Sequence, residues 1–300
     1  MVDPLDSVLV ATDFSPASEL AISWATQIAR SHGAHLLLVH VLAPPMPVAD
    51  FAAPPLTLDS ELREAAREHL DEILSRDDFE GIDAEALLLD GMPAQAVLNA
   101  AAERHAHMLV VGTRGLTGFR HLLLGSTAER IVQGAEAPVL AVHPEDPEPE
   151  GAPRALLVPT DFSSDAAAAL AAADHCVSLS DQATRVILLH VFHVPAEYRS
   201  YGPAGTFFKF TDELRESLRE RLEALAAPLR REKLKIELLI SEGIPAECIV
   251  RVARERKVDM VAMGTHGRSG LAHLLMGSTA ERVVQHAPCP VLTVRRPPEE

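Results

Sequence analysis

Short apolar runs alternate along the first half of the chain with longer stretches in which apolar positions recur every three or four residues. The runs are 7–11, 35–40, 84–89, 108–111 and 138–142, and the amphipathic stretches are 16–32, 58–76, 93–104 and 126–133. Near-continuous apolar runs of this length suit strands buried on both faces of a parallel sheet, and the stretches between them carry the helical period. Strict alternation of five strands with four helices predicts an α/β domain whose right-handed crossovers cover both faces of a doubly wound sheet. In such a sheet a ligand sits beyond the carboxyl ends of the strands, where the strand order reverses.

The second half repeats the pattern, with strands expected at 155–158, 185–190, 236–240, 260–263 and 290–294. Residues 91–142 align without a gap with 243–294 and are identical at 27 of the 52 positions. The chain therefore reads as two tandem doubly wound parallel five-stranded domains, 1–143 and 154–300, as its length of 300 residues also suggests. Between them, 144–153 is rich in proline and acid. Proline lacks the backbone donor and fixes φ, and like charges repel, so an extended linker is expected.

The strongest chemical signal lies after the fourth strand of each copy. Gly112-Thr113-Arg114-Gly115 is followed by nine residues and Gly125-Ser126-Thr127; Gly264-Thr265-His266-Gly267 is followed by nine residues and Gly277-Ser278-Thr279. Glycines let a backbone approach a phosphate closely, with φ values other residues resist, and the helix opening at Ser126 or Ser278 offers N–H donors and the positive end of its dipole. A second reading competes. Ser126-Thr127-Ala128-Glu129 and Ser278-Thr279-Ala280-Glu281 are also capping boxes, in which the serine serves its own helix. Three glycines at fixed spacing in both copies exceed what a cap needs, which favours the anion site.

Asp13 and Asp161 follow the first strand of each copy, across the switch point from the glycine loops. A carboxylate there suits a ribose hydroxyl or an adenine amine; alternatively it is a cap or turn aspartate before the helix at Pro16. Val41 and Val191, expected just after the second strand, would give a base an apolar wall. His40 and His190 end buried strands and read as structural histidines rather than metal ligands. The segments 43–57 and 193–210 are long enough to act as lids, and Phe207, Phe208 and Phe210 form a local aromatic cluster that reads as core.

Composition narrows the function classes. A formal charge of −16 and only 4% aromatic residues oppose a nucleic-acid partner. The excess acid is confined to one half: residues 1–150 hold 8 Lys+Arg against 24 Asp+Glu, and 151–300 hold 19 against 19. Cys176, Cys248 and Cys289 form no CxxC pair, which fits a reducing, cytoplasmic setting. No uncharged apolar stretch long enough for a membrane span occurs, and the acidic first residues do not resemble a signal peptide. Walker GxxxxGK[ST] and GxGxxG fingerprints are absent, as is a Ser-Gly-Gly loop after the first strand.

The loops at 264–270 and 274–281 and the Pro288-Cys289-Pro290-Val291-Leu292 segment resemble the ATP-binding branch of the universal stress protein family, and the first copy resembles it nearly as well. The resemblance implies a fold like that of the adenine-nucleotide alpha hydrolases, with strand order 3-2-1-4-5. It also implies adenine and ribose near the first two strands and phosphates on the glycine loop. By the same match the nucleotide-binding residues are Thr12, Asp13, Val41, Gly112, Gly115, Gly125, Ser126 and Thr127, then Thr160, Asp161, Val191, Gly264, Gly267, Gly277, Ser278 and Thr279. It implies further that the last strands of the two copies pair as an internal pseudo-dimer that is able to form a homodimer. The expected function is ATP binding, with Mg2+ carried on the phosphates, in stress response or signalling through occupancy rather than turnover. A slow ATPase or nucleotidyl transferase, and a nucleotide-free interaction or chaperone-like module, are the alternatives.

Overall fold

The computed structural model describes residues 5–44, 56–115, 124–178, 183–194, 204–229, 232–266 and 276–295, with the side chains of 56–59, 178 and 204–210 excepted. Gly267, most of the two expected lid segments and the Phe207–Phe210 side chains lie outside the described residues. The chain divides into two compact units, Met1–Gly151 and Ala152–Glu300.

In the first unit the order is β1 (Ser7–Thr12), α1 (Pro16–His32), β2 (His35–Leu42), α2 (Leu56–Leu74), β3 (Ala84–Asp90), α3 (Pro93–Glu103), β4 (Met108–Gly112), α4 (Ser126–Gly134) and β5 (Val139–Val142). The strands pair in parallel in the order β3-β2-β1-β4-β5. Sequence chemistry explains the clean ends of α1. Ser15 caps it by accepting from the Ser18 N–H, Pro16 takes the first helical position, and Gly33 ends it in the left-handed region at φ 64°. Val8, Leu9, Val10 and Leu36 to Val39 are buried, so the central strands carry the core, as a sheet covered on both faces requires.

The second unit repeats this with β6 (Ala155–Pro159), α5 (Ser164–Ser178), β7 (Thr184–Phe192), α6 (Ala204–Ala226), β8 (Leu234–Glu242), α7 (Pro245–Arg256), β9 (Met260–Gly264), α8 (Ser278–His286) and β10 (Val291–Val294). Its strands are also parallel, in the order β8-β7-β6-β9-β10. Each unit thus has the 3-2-1-4-5 order, with β1 and β4, or β6 and β9, flanking the point where the order reverses.

Several boundaries differ from the hydrophobic pattern. Val41 and Val191 lie inside β2 and β7 rather than after them, because parallel pairing runs on to Leu42↔Asp90 and Phe192↔Glu242 after the apolar run has ended. α6 begins at Ala204, inside the segment 193–210 read as a lid, and gives way at Ala226 to a short 3-10 turn over Ala227–Leu229. Pro228 has no N–H to continue the ladder, and Gly205 obscures the helical signal at the start. The segment expected to be extended from residue 144 instead opens as a turn on the first unit. The Asp146 N–H donates to His143 O at 3.1 Å, the Asp146 carboxylate accepts the His143 N–H at 2.7 Å, and the Trp24 indole N–H donates to Pro147 O. Pairing with backbone donors overcomes the repulsion among its acids.

Candidate functional site

Each unit has a cavity at the reversal point, beyond the carboxyl ends of its central strands. The first measures about 250 Å3 and the second about 410 Å3. All eight residues expected from the first copy line the first cavity, and seven of the eight from the second copy line the second, Gly267 being outside the described residues. Their roles are not uniform.

Thr12 and Thr160 are committed to the fold. Thr12 Oγ1 accepts the Phe14 N–H at 3.0 Å and lies 3.1 Å from Ser18 Oγ, and Thr160 Oγ1 accepts the Phe162 N–H at 3.0 Å. Asp13 Oδ1 accepts the Ser15 N–H and Asp161 Oδ1 the Ser163 N–H, so the turn role holds for one oxygen of each carboxylate while the side chain still lines its cavity. Ser15, not Asp13, is the cap of α1.

The residue that re-aims this turn was not among the expected ones. Phe14 and Phe162 sit in the left-handed region at φ 62° and 63°, where a bulky side chain is uncommon and costs on the order of 1 kcal/mol or more. Each is held by a histidine from the neighbouring strand. His40 stacks on Phe14 at 4.3 Å between ring centroids, and His190 lies 4.7 Å from Phe162. His40 Nδ1 donates to Thr12 O at 2.8 Å and His190 Nδ1 to Thr160 O at 2.7 Å, since a carbonyl can only accept. The signal available in the sequence was Thr-Asp-Phe-Ser after the first strand of both copies.

The glycines require correction. Gly112, Gly115, Gly125, Gly264 and Gly277 are all absent from the residues with positive φ, so conformational permissiveness is not why they are glycine. A Cβ on Gly112 would stand 2.8 Å from the Ala17 carbonyl carbon, and one on Gly264 would stand 2.7 Å from Asp165 Cβ. These two let the end of β4 or β9 touch the start of the following packed helix. Gly115 does border the cavity, and a Cβ there would lie 2.6 Å from Asp13 Oδ2. Gly125 and Gly277 close the loop by donating to Thr113 O at 2.7 Å and Thr265 O at 2.8 Å.

The capping-box reading also shifts by one residue. Gly125 and Gly277 are the N-caps, without a side-chain cap bond, and Ser126 and Ser278 occupy the first helical position. Both serines are exposed at the mouth of their cavities beside Thr127 and Thr279. The first-turn N–H groups of α4 and α8 and these hydroxyls therefore face one small region, which suits an anion.

The cavities also have an apolar wall. In the first unit Val41 is joined by Val39, Pro93 and Val97, and in the second Val191 by Leu189, Pro245 and Ile249. Pro93 and Pro245 open α3 and α7 at equivalent positions, which periodicity alone assigns only to helix initiation. The loop cations differ between the copies. Arg114 pairs with Glu145, and His266 lies 3.0 Å from Thr265 Oγ1 through Nδ1 and 3.6 Å from Asp165 Oδ2. No group of three or more metal-ligating side chains occurs among the described residues, and no described helix is long and apolar enough to cross a membrane.

The universal stress protein family model matches residues 4–143 and 153–295. A universal stress protein of Mycolicibacterium smegmatis is 28% identical over 294 residues, covering 96% of each chain. One from Thermus aquaticus is 37% identical over 139 residues, which is 45% of this chain and 97% of that protein. The crystal structure of a universal stress protein from Archaeoglobus fulgidus superposes with a TM-score of 0.73 at 22% identity, covering 98% of this chain and all of the other. The chain belongs to the universal stress protein family and carries its domain twice in tandem.

Proposed function

We propose that each unit binds ATP, with Mg2+ carried on its phosphates, and that occupancy rather than turnover is what the protein uses, in stress response or signalling inside a reducing compartment. The observation that carries this reading is the cavity of mixed polar and apolar lining, repeated in both copies. Helix N-terminal donors, exposed hydroxyls, a valine–proline wall and a carboxylate all line each cavity. A triphosphate suits the donors, a flat apolar base the wall, and a ribose hydroxyl the carboxylate. The size of the second cavity lies within the range of small-molecule sites, and the first lies just below it.

The lining supports the slow-turnover reading. Among the described residues neither cavity is lined by a lysine that would neutralise charge developing on a transferred phosphoryl group. Asp13 and Asp161 each spend one oxygen on the turn, which fits positioning better than proton abstraction. The cysteines suit a reducing setting, since all three are buried and none is in a disulfide among the described residues, and burial pushes the Cys176 thiol up to about 12.

The test is an ATP titration by calorimetry on nucleotide-stripped protein, with Ser126→Glu and Ser278→Glu as separate variants. A carboxylate at the first helical position favours the helix through its dipole yet repels a phosphate from the same donors, so each variant should fold while losing its own site. Two sites in the parent and one in each variant is the expected result. Absence of binding by folded parent protein would overturn the reading in favour of an interaction module.

A further inference from the structure

The turn that carries the cavity carboxylate is unfavourable by itself in both copies. Phe14 and Phe162 hold φ 62° and 63°, a region that a bulky residue keeps only where its surroundings over-determine it. The strand histidines His40 and His190 supply part of that support. A second part comes from the helix that follows each of those strands. Arg221 of α6 stands with its Cζ 3.9 Å from the centroid of the Phe162 ring, and the His69 ring of α2 lies 5.2 Å from the Phe14 ring. These two positions are equivalent. The offset of 152 residues that brings residue 91 onto 243 also brings His69 onto Arg221, buried Ala66 and Leu70 onto buried Leu218 and Leu222, and the last helical residue Leu74 onto Ala226. One copy thus uses an imidazole and the other a guanidinium to meet the same ring. What the copies share is the contact rather than the residue that makes it.

We infer that His69 and Arg221 are positioning residues: through Phe14 and Phe162 they hold the turn that presents Asp13 and Asp161 to the cavities. The inference rests on the nucleotide-site reading above and deepens it, since it makes ribose recognition depend on helices that contribute no described residue to either cavity lining. The route from helix to carboxylate is short. Arg221 meets Phe162, whose N–H is accepted by Thr160 Oγ1 at 3.0 Å, and the next N–H, of Ser163, is accepted by Asp161 Oδ1 at 2.9 Å. The first copy repeats this, with the Phe14 N–H on Thr12 Oγ1 at 3.0 Å and the Ser15 N–H on Asp13 Oδ1 at 3.1 Å. A turn that leaves the left-handed region at the phenylalanine breaks this pattern and takes the carboxylate with it. A ring contact biases that equilibrium by no more than its own strength. Arg221 is exposed, and for an exposed cation on an aromatic face that strength corresponds to about twofold to fivefold.

The experiment uses the single-site proteins, Ser126→Glu for the second site and Ser278→Glu for the first, and compares ATP with dideoxy-ATP, which lacks both ribose hydroxyls, by calorimetry. The two nucleotides share base and triphosphate, so the ratio of their affinities reads the carboxylate alone. A hydrogen bond to a charged group should make ATP the tighter ligand by roughly tenfold to a hundredfold. Adding Arg221→Ala to Ser126→Glu should lower that ratio about twofold to fivefold, entirely through ATP, with dideoxy-ATP affinity and the urea midpoint nearly unchanged. Arg221→His, which installs the first copy's residue, should keep the ratio. His69→Ala and His69→Arg in Ser278→Glu should behave in the same two ways. A ratio untouched by Arg221→Ala, or a loss shared equally by both nucleotides, would overturn the inference and leave the nucleotide reading standing. Equal binding of the two nucleotides before any change at Arg221 would overturn it as well, by removing the carboxylate from ribose recognition. Absence of ATP binding by folded protein would bring down the nucleotide reading and this inference with it.

Discussion

Around the two cavities a methyl group would meet very different obstacles at different glycines. At Gly112 the obstacle is backbone, the Ala17 carbonyl group at 2.8–2.9 Å and the Ser18 nitrogen at 2.9 Å, which cannot step aside without moving the start of α1. At Gly115 it is the tip of the Asp13 side chain, which can rotate. Gly112→Ala should therefore cost about 1–3 kcal/mol, an overpacking penalty read as a lower urea midpoint, whereas Gly115→Ala should leave the midpoint nearly unchanged and weaken ATP binding by displacing Asp13. Equal midpoints for the two variants would mean that the β4–α1 contact yields more easily than its geometry suggests. The functional weight of the first glycine is thereby reassigned to the fold, and that of Gly115 is retained. None of this was legible from spacing, because a glycine needed for close packing and one needed beside a ligand look alike in a motif.

Helix starts separate the local from the tertiary signals. α1 was legible at both ends because Ser15, Pro16 and Gly33 act through their own backbone. At α4 the first helical residue was legible but its cap was not, because Ser-Thr-Ala-Glu fits a cap in one register and a first turn in the next. The bond from the Gly125 N–H to Thr113 O, drawn from the other end of the loop, selects the second. The left-handed turn at Phe14 was hidden for the same reason: nothing local recommends a bulky residue there, and the support comes from His40 on β2. The doubly wound class and the cavity's place, by contrast, follow from alternation and the repeat, which are properties of the whole pattern, and the strand order followed from the family resemblance. A direct consequence concerns the two serines. Ser15→Ala removes a side-chain cap and should cost about 1 kcal/mol, while Ser126→Ala removes an exposed hydroxyl that caps nothing and should stay within about 0.5 kcal/mol. Thermal melts of the two variants decide it, and a large loss in Ser126→Ala would restore the capping box.

At the scale of the whole molecule the uneven charge becomes an argument about affinity. The first 150 residues carry 8 Lys+Arg against 24 Asp+Glu, and the second 150 carry 19 against 19. Arg114 does not offset this locally, since Glu145 already neutralises it. A polyanion approaching the first unit thus meets a negative field that the second unit lacks, and such a field acts over a Debye length, about 30 Å at 0.01 M salt and 3 Å at 1 M. The second site should then bind ATP roughly threefold to tenfold more tightly than the first near 0.01 M salt, and the gap should close towards 1 M. Single-site titrations of Ser126→Glu and Ser278→Glu across that range measure it directly. Equal affinities at low salt would show that the acidic residues of the first unit lie too far from its cavity, or are too well solvated, to be felt there. A gap that persists at high salt would instead trace the difference to contacts inside the two cavities, whose walls and volumes are not the same.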